Sequence, residues 1–213
     1  MAGLLRPFDA YNLVKNLKET IEIPVHMQTH ATTGMSAATN MKAIEAGIDN
    51  IDTSISSLSM TYGHSATETM LAIFEDQDRE IILDLEALEE VSKFFRNIRK
   101  KYSEFEGGLK GVDSSMLVKQ VPGGMLSNLE SQLRANKQED KIDLVKDEIP
   151  KVRKDFGYPP LVTPASQIVG DQALLNVMST TRYENLSNES INLITGKYGC
   201  LLYTSDAADD PYG

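Results

Sequence analysis

Cysteine is nearly absent from this chain of 213 residues, which contains only Cys200 and so cannot form an internal disulfide. Long apolar runs are absent as well, and no stretch approaches the roughly 20 residues that a membrane-spanning helix needs. The first residues lack the basic and then apolar plan of a secretory signal peptide. We therefore expect a protein of the reducing cytoplasm.

Positive charge is also scarce. Lysine and arginine total 21 against 31 aspartates and glutamates, which gives a formal net charge of -10 at pH 7. Such a chain has no basic stripe to displace counterions from phosphates, so nucleic acid is excluded as an expected partner. The apolar share of 41% and the charged share of 24% are typical of a globular protein with one large domain or two small ones.

Apolar periodicity predicts alternating helices and strands in the first third of the chain. A helix opens near Pro7, a strand follows over residues 23–30, and a second helix ends at Gly47. Residues 48–55 are predicted to form a second strand, after which a third helix begins. This order is typical of the parallel units of an α/β fold.

The third helix is predicted to start at a capping box formed by Ser65 and Glu68. After residue 84 the strand pattern stops, and three apolar stripes at helical spacing follow. They run through Leu85, Leu88, Val91, Phe95 and Ile98, then Leu126, Leu129 and Leu133, then Ile142, Val145 and Ile149. The rest of the chain is therefore predicted to be mostly helical.

Four segments carry a family resemblance in colinear order: residues 23–36 (IPVHMQTHATTGMS), 52–57 (DTSISS), 119–133 (KQVPGGMLSNLESQL) and 161–171 (LVTPASQIVGD). Together they resemble the biotin-dependent carboxyltransferase family, which includes the alpha chain of oxaloacetate decarboxylase and the carboxyltransferase subunit of pyruvate carboxylase. Four motifs in one order are far more specific than any one alone.

The resemblance implies an α/β fold in two parts. Residues 1–82 are expected to be the closing β/α units of an incomplete TIM (β/α)8 barrel, and residues 83–199 a mostly helical conserved carboxylase domain. Residues 200–213 match neither part, and we interpret them as a non-native tail, with an ordinary acidic disordered tail as the alternative. The family's bridging lysine and first-strand aspartate are missing, which indicates the C-terminal part of a longer protein.

The family binds a divalent metal ion, of the Zn, Co or Mn class, through two histidines separated by one residue at the end of a barrel strand. The matching positions here are Gln28 and His30, so an amide replaces one imidazole and is expected to bind more weakly. His26 lies two residues back on the same predicted strand face. His64, in a later loop, is predicted to be solvated. Without the resemblance, core hydrogen bonding explains such histidines better than metal binding does.

A threonine precedes a proline and a helix start in residues 161–171. Pro164 fixes its own φ and pushes Thr163 towards an extended conformation, while the helix behind it begins with free backbone donors. In the family, this threonine carries a proton between the ureido nitrogen of biotin and the methyl carbon of pyruvate, and the serine three residues on lines the biotin pocket. The resemblance assigns these roles to Thr163 and Ser166. The alternative is that Thr163 only caps the helix.

The resemblance therefore predicts a fragment of an enzyme that moves a carboxyl group between biotin and pyruvate or oxaloacetate, inactive by itself. Expected partners are carboxybiotin on a separate carrier domain, further copies of a homo-oligomeric parent and, for a decarboxylase, membrane subunits that associate the cytoplasmic protein with a membrane. Two alternatives remain: another metal-dependent (β/α)8 enzyme of the aldolase or acyltransferase type, and a non-catalytic helical binding module. The second alternative leaves VTPASQIVGD unexplained.

Overall fold

The computed structural model describes residues 3–75 and 82–199. The chain divides between Leu117 and Val118 into two compact units, and each unit has a core of its own. Helices dominate, and the described part contains one pair of parallel strands, so the predicted helix-rich α/β class is confirmed.

The first unit follows the predicted order of helix, strand, helix, strand and helix, and a fourth helix comes after it. Its helices are α1 (Pro7–Thr20), α2 (Ser36–Glu45), α3 (Thr67–Phe74) and α4 (Leu85–Lys101), its strands are β1 (His26–Met27) and β2 (Asn50–Ile51), and its 3-10 turns are Ser56–Leu58 and Ser103–Phe105. The two strands pair in parallel, with Met27 opposite Ile51. Both are shorter than the predicted ranges.

Helix α1 begins with Pro7 in its first turn, where a missing backbone N–H costs nothing. Ala10 and Val14 form the buried face of α1, and α1 packs against α2. Helix α2 is closed by Gly47, whose φ of +92° is a left-handed value that glycine adopts without strain. This turn brings the chain back to run parallel to β1.

The predicted capping box at the start of α3 is wrong. The N-cap residue is Ala66, and the hydroxyl of Ser65 instead donates a hydrogen bond of 2.7 Å to the Ser36 hydroxyl. The Glu68 carboxylate accepts the backbone N–H of Ser56 at 2.9 and 3.0 Å. Both side chains therefore bond to segments that are remote in sequence, and neither caps the start of α3.

The second unit is helical. It contains α6 (Gly123–Ala135), the 3-10 turn Glu139–Lys141, α7 (Ile142–Asp155), α8 (Ala165–Met178) and α9 (Asn188–Ile194), and the division between the units falls within the short helix α5 (Ser115–Lys119). The predicted stripes of α6 and α7 form its core, since they contribute residues that are at most 2% exposed: Leu126, Leu129, Leu133, Val145 and Ile149.

Helix α4 belongs to the first unit, although the predicted helical part begins at residue 83. The Ser92 and Ser56 hydroxyls lie 2.7 Å apart, and Arg99 donates to the Ser57 carbonyl at 2.8 Å, so α4 packs on the turn after β2. The assignment of residues 1–82 and 83–199 to two family parts stays a prediction, and residues 200–213 lie outside the described residues. Within the described ranges, no helix is both long and apolar enough to cross a bilayer.

Candidate functional site

The segment that follows β1 carries two of the predicted site residues. Strand β1 ends at Met27, so Gln28 and His30 lie beyond the strand, and the Gln28 amide nitrogen is 3.1 Å from Nε2 of His30. His26, within the strand, is turned to another partner, since its Nε2 lies 2.7 Å from Oδ1 of Asp52. The structure therefore brings the side chains of Gln28 and His30 together, whereas His26 contacts Asp52 instead.

The tautomer of His30 is fixed by the backbone. Nδ1 lies 2.5 Å from the Tyr62 carbonyl oxygen, which only accepts hydrogen bonds, so Nδ1 carries the proton. Burial lowers the pKa of His30; the hydrogen bond to Tyr62 opposes that shift, and neighbouring His64 adds to it. A neutral ring protonated on Nδ1 presents the lone pair of Nε2, which is the form that ligates metals.

His64 is not the solvated loop residue that the sequence predicted. It is partly buried, its Nδ1 donates to the Thr29 carbonyl at 2.9 Å, and its ring lies 5.0 Å from the ring of His30 between centroids. The backbone N–H of Ala31 also donates to the Gly63 carbonyl at 2.8 Å. These bonds hold the loop of His64 against the end of the β1 segment.

The donor set can be compared with the divalent ion that the family resemblance implies. His30 fits, because the Nδ1 bond is the outer-shell contact that orients a ligating imidazole. Gln28 adds an amide, whose oxygen is a weaker ligand than imidazole. In the described ranges, histidine, cysteine, aspartate and glutamate form no group of three with metal-site geometry. Among residues 3–75 and 82–199, His30 and Gln28 are thus chemically suited to bind such an ion, but the described residues form no complete metal site.

Thr163 and Ser166 lie at the start of α8 in the second unit. Thr163 is exposed, joined to Pro164 by a cis peptide bond, and its hydroxyl has no hydrogen-bond partner among the described residues. The N-cap residue is Pro164, which has no capping side chain, so the predicted helix start is confirmed and the hydroxyl does not serve as its cap. Ser166, the second residue of α8, is 8% exposed.

An ion network around the buried carboxylate of Glu148 in the second unit escaped the sequence analysis. Glu148 on α7 is 6% exposed, and its Oε1 accepts from Arg182 Nε at 2.6 Å and from the Asn176 amide at 3.0 Å. Burial raises the pKa of Glu148, but the hydrogen bonds from Arg182 and Asn176 outweigh it and lower the pKa below its usual value. The sequence does contain one signal for this network, because Glu148 is a charged residue within the apolar stripe of α7.

Two protein families match the chain. The family described as HMGL-like covers residues 1–95, and the family described as the conserved carboxylase domain covers residues 116–208. The second match runs past Gly199, the residue at which the family resemblance was expected to end.

Two relatives agree with these family matches. The chain is 46% identical over 200 residues to a pyruvate carboxylase subunit of Methanocaldococcus jannaschii, and 45% identical over 213 residues to the methylmalonyl-CoA carboxyltransferase 5S subunit of Propionibacterium freudenreichii subsp. shermanii. These alignments take in 93% and 99% of the chain but 35% and 41% of the relatives, so the chain spans little more than a third of their length.

A solved structure extends the similarity to three dimensions. The carboxyl transferase domain of Rhizobium etli pyruvate carboxylase with pyruvate and biocytin superposes with a TM-score of 0.86 at 31% identity, over 94% of this chain and 35% of that one. Sequence and structure therefore agree over both units. On these grounds, the chain belongs to the biotin-dependent carboxyltransferase family.

Proposed function

We propose that this chain is part of an enzyme that transfers a carboxyl group between biotin and pyruvate or oxaloacetate, and that Thr163 moves the proton in that transfer. The observation that carries the proposal is the exposed Thr163 hydroxyl, which has no hydrogen-bond partner among the described residues at the start of α8. A hydroxyl both donates and accepts, so one such group relays a proton between two bound molecules.

The proton balance of this role is simple. When carboxybiotin gives up its carboxyl group, the ureido nitrogen gains a proton and the methyl carbon of pyruvate loses one before it forms the new carbon–carbon bond. Thr163 donates its hydroxyl proton to the nitrogen and accepts the methyl proton, which leaves the side chain unchanged. Ser166 lies three residues further on, in the first turn of α8, where its hydroxyl lines the biotin pocket.

The remaining parts of the proposal concern the barrel, the metal site and the division of the chain into two family parts. The parallel strands β1 and β2 are the closing strands of a (β/α)8 barrel, and His30 with Gln28 contributes to a divalent metal site at its mouth. An ion held there by His30 and Gln28 would supply Lewis-acid polarisation of the keto oxygen of the substrate. The neutral His30 imidazole, oriented by the Tyr62 carbonyl, presents the nitrogen lone pair to that site. Residues 1–82 and 83–199 form the barrel part and the helical carboxylase part.

The proposed partners are those of the longer enzyme. A carrier domain delivers carboxybiotin, and a homo-oligomeric parent in the cytoplasm provides the rest of the barrel. If the parent is an oxaloacetate decarboxylase, membrane subunits join the assembly. One relative described above is a subunit of a pyruvate carboxylase, which supports pyruvate as the carboxyl acceptor. The other is a subunit of a methylmalonyl-CoA carboxyltransferase, which supports carboxyl transfer as the reaction.

The test uses the full-length parent enzyme and the substitutions Thr163→Val and Thr163→Ser. Removal of the hydroxyl is expected to lower carboxyl transfer by about 10²–10⁴-fold, the usual contribution of a positioned proton-transfer group, whereas serine keeps a hydroxyl and restores most of the rate. Thr180→Val, at another exposed threonine of the second unit, is the matched control.

Release of pyruvate from oxaloacetate in the presence of biotin is the readout, and far-UV circular dichroism verifies folding. If Thr163→Val is folded and transfers carboxyl groups at a rate within about threefold of the parent, well below the loss expected for a proton relay, the proposal is wrong.

A further inference from the structure

The pair formed by His30 and His64 is not explained by the family resemblance, which assigns no role to His64. The two imidazoles have ring centroids 5.0 Å apart and planes inclined by 32°. The chain contains three histidines, and the third, His26, bonds to Asp52 instead. Two of the three imidazoles have therefore been brought together from segments that precede and follow β2 in the chain.

Both rings of the pair carry their proton on the same atom. Nδ1 of His30 faces the Tyr62 carbonyl at 2.5 Å, and Nδ1 of His64 faces the Thr29 carbonyl at 2.9 Å. Because a carbonyl oxygen only accepts, each Nδ1 is the donor and each Nε2 has a lone pair. Tyr62 is two residues before His64, and Thr29 is adjacent to His30, so each ring is hydrogen-bonded to the backbone near the other histidine. Rotation of either ring therefore breaks a hydrogen bond.

The separation of the rings matches a shared cation. An imidazole that ligates zinc holds its nitrogen 2.0–2.1 Å from the ion, which sets the ring centroid about 3.2 Å from it. Two such ligands at a tetrahedral angle then have centroids about 5.2 Å apart. The observed 5.0 Å agrees with this value.

We propose that His64 binds the same divalent cation as His30, and so supplies the second imidazole that position 28 lacks in this chain. The inference rests on the proposed metal role of His30. In this structure the amide nitrogen of Gln28 faces Nε2 of His30. A 180° rotation of the amide group places its oxygen there instead, and the oxygen is the atom that binds cations. Two imidazole nitrogens and an amide oxygen suit Zn²⁺ or Co²⁺ better than Mg²⁺ or Ca²⁺.

The first test is zinc titration of the 213-residue chain followed by histidine side-chain NMR. Because the chain has three histidines, each imidazole gives its own signal. We expect Nε2 of His30 and of His64 to shift together and to saturate at one zinc per chain, while His26 keeps its free-state signal. A response of His30 without His64 overturns this inference and leaves the proposed role of His30 standing. A response of neither overturns both ligand assignments, and the Thr163 test remains independent of it.

The second test compares zinc affinity by calorimetry between matched histidine variants. His64→Phe keeps a ring against His30 but has no nitrogen ligand, and we expect the affinity to fall at least about tenfold, the loss seen even when an outer-shell partner is removed. His26→Gln is the control and is expected to stay within about twofold. Gln28→His is expected to bind more tightly, because imidazole replaces an amide. Equal losses in the His64 and His26 variants contradict the proposal.

Discussion

Substitution of Arg182 by methionine tests whether the buried carboxylate of Glu148 organises the second unit. The Glu148 side chain is 8% exposed, and Arg182 Nε lies 2.6 Å from its Oε1. The same guanidinium reaches Asp155 Oδ2 at 2.8 Å, so a single arginine links α7 to the segment after α8. Methionine keeps the length and apolar volume of the arginine but removes both contacts.

The expected loss of unfolding free energy depends on how far the side chains of Arg182 and Asp155 are exposed to solvent. A hydrogen bond to a charged group contributes about 1.5–3 kcal/mol, and the lower half of that range applies because the Arg182 side chain is 44% exposed. The pair with Asp155, which is 38% exposed, adds at most about 1 kcal/mol. We therefore expect Arg182→Met to lower the free energy of unfolding by about 2–3 kcal/mol, or the melting temperature by roughly 5–10 °C.

The penalty depends on pH in a defined direction. Burial raises the pKa of Glu148, but hydrogen bonds from Arg182 and Asn176 lower it further than burial raises it, so the folded-state pKa lies below the unfolded one. The contribution of a carboxylate of this kind is complete above the unfolded pKa and is lost as pH falls through the folded pKa. The Arg182→Met penalty should therefore be largest near neutral pH and shrink below about pH 4.

Urea unfolding followed by NMR amide signals of α7 and α8 measures this penalty in the second unit alone. Lys151→Met is the matched control, because Lys151 contacts the same carboxylate at 3.2 Å but is 60% exposed, and its loss should cost under about 1 kcal/mol. A cost below about 0.5 kcal/mol for Arg182→Met, or an equal cost for both variants, would refute the reasoning.

Three further outcomes are expected. Ile149→Ala, at a fully buried position, should cost about 2–5 kcal/mol in urea unfolding, whereas Leu144→Ala on the exposed face of α7 should stay within about 0.5 kcal/mol. Gly170→Val should cost about 1–3 kcal/mol, because even a Cβ there lies 3.2 Å from Cγ of Met125, and a melting temperature at or above that of the parent would contradict this packing argument. Asp84→Ala removes the carboxylate that caps α4 and should cost about 1 kcal/mol, seen as faster hydrogen exchange in the first turn of the helix; unchanged exchange there would argue against the cap.

Sequence reasoning is accurate for contacts between residues close together in the chain and fails for contacts between residues far apart in it. The helices of the second unit were predicted well, since Leu126, Leu129 and Leu133 repeat at the spacing that buries one helix face. The capping box failed because Ser65 and Glu68 bond to residues far away in the chain. Sequence spacing describes neighbours within a helix and carries no information on such partners.

The residues of the candidate site also fall into those that the sequence indicates and one that only the structure shows. Its residues Thr163, Ser166, Gln28 and His30 came from a family resemblance, and spacing alone left capping or core hydrogen bonding as the better explanation for them. His64 was assigned to solvent because an isolated histidine in a loop carries no local pattern. Its position against His30 follows from the turn after β2, whose bonds to the β1 segment join residues more than thirty positions apart.

The sequence by itself determined the buried faces of α6 and α7, the alternation of helices and strands in the first unit and the family of the chain, because these depend on local periodicity and on colinear motifs. Only the tertiary structure decided the tautomers of His30 and His64, the exposure of the Thr163 hydroxyl and the pairing of Glu148 with Arg182. Each of these depends on which backbone or side-chain atoms lie close by, and those distances are set by the packing of segments that are remote in sequence.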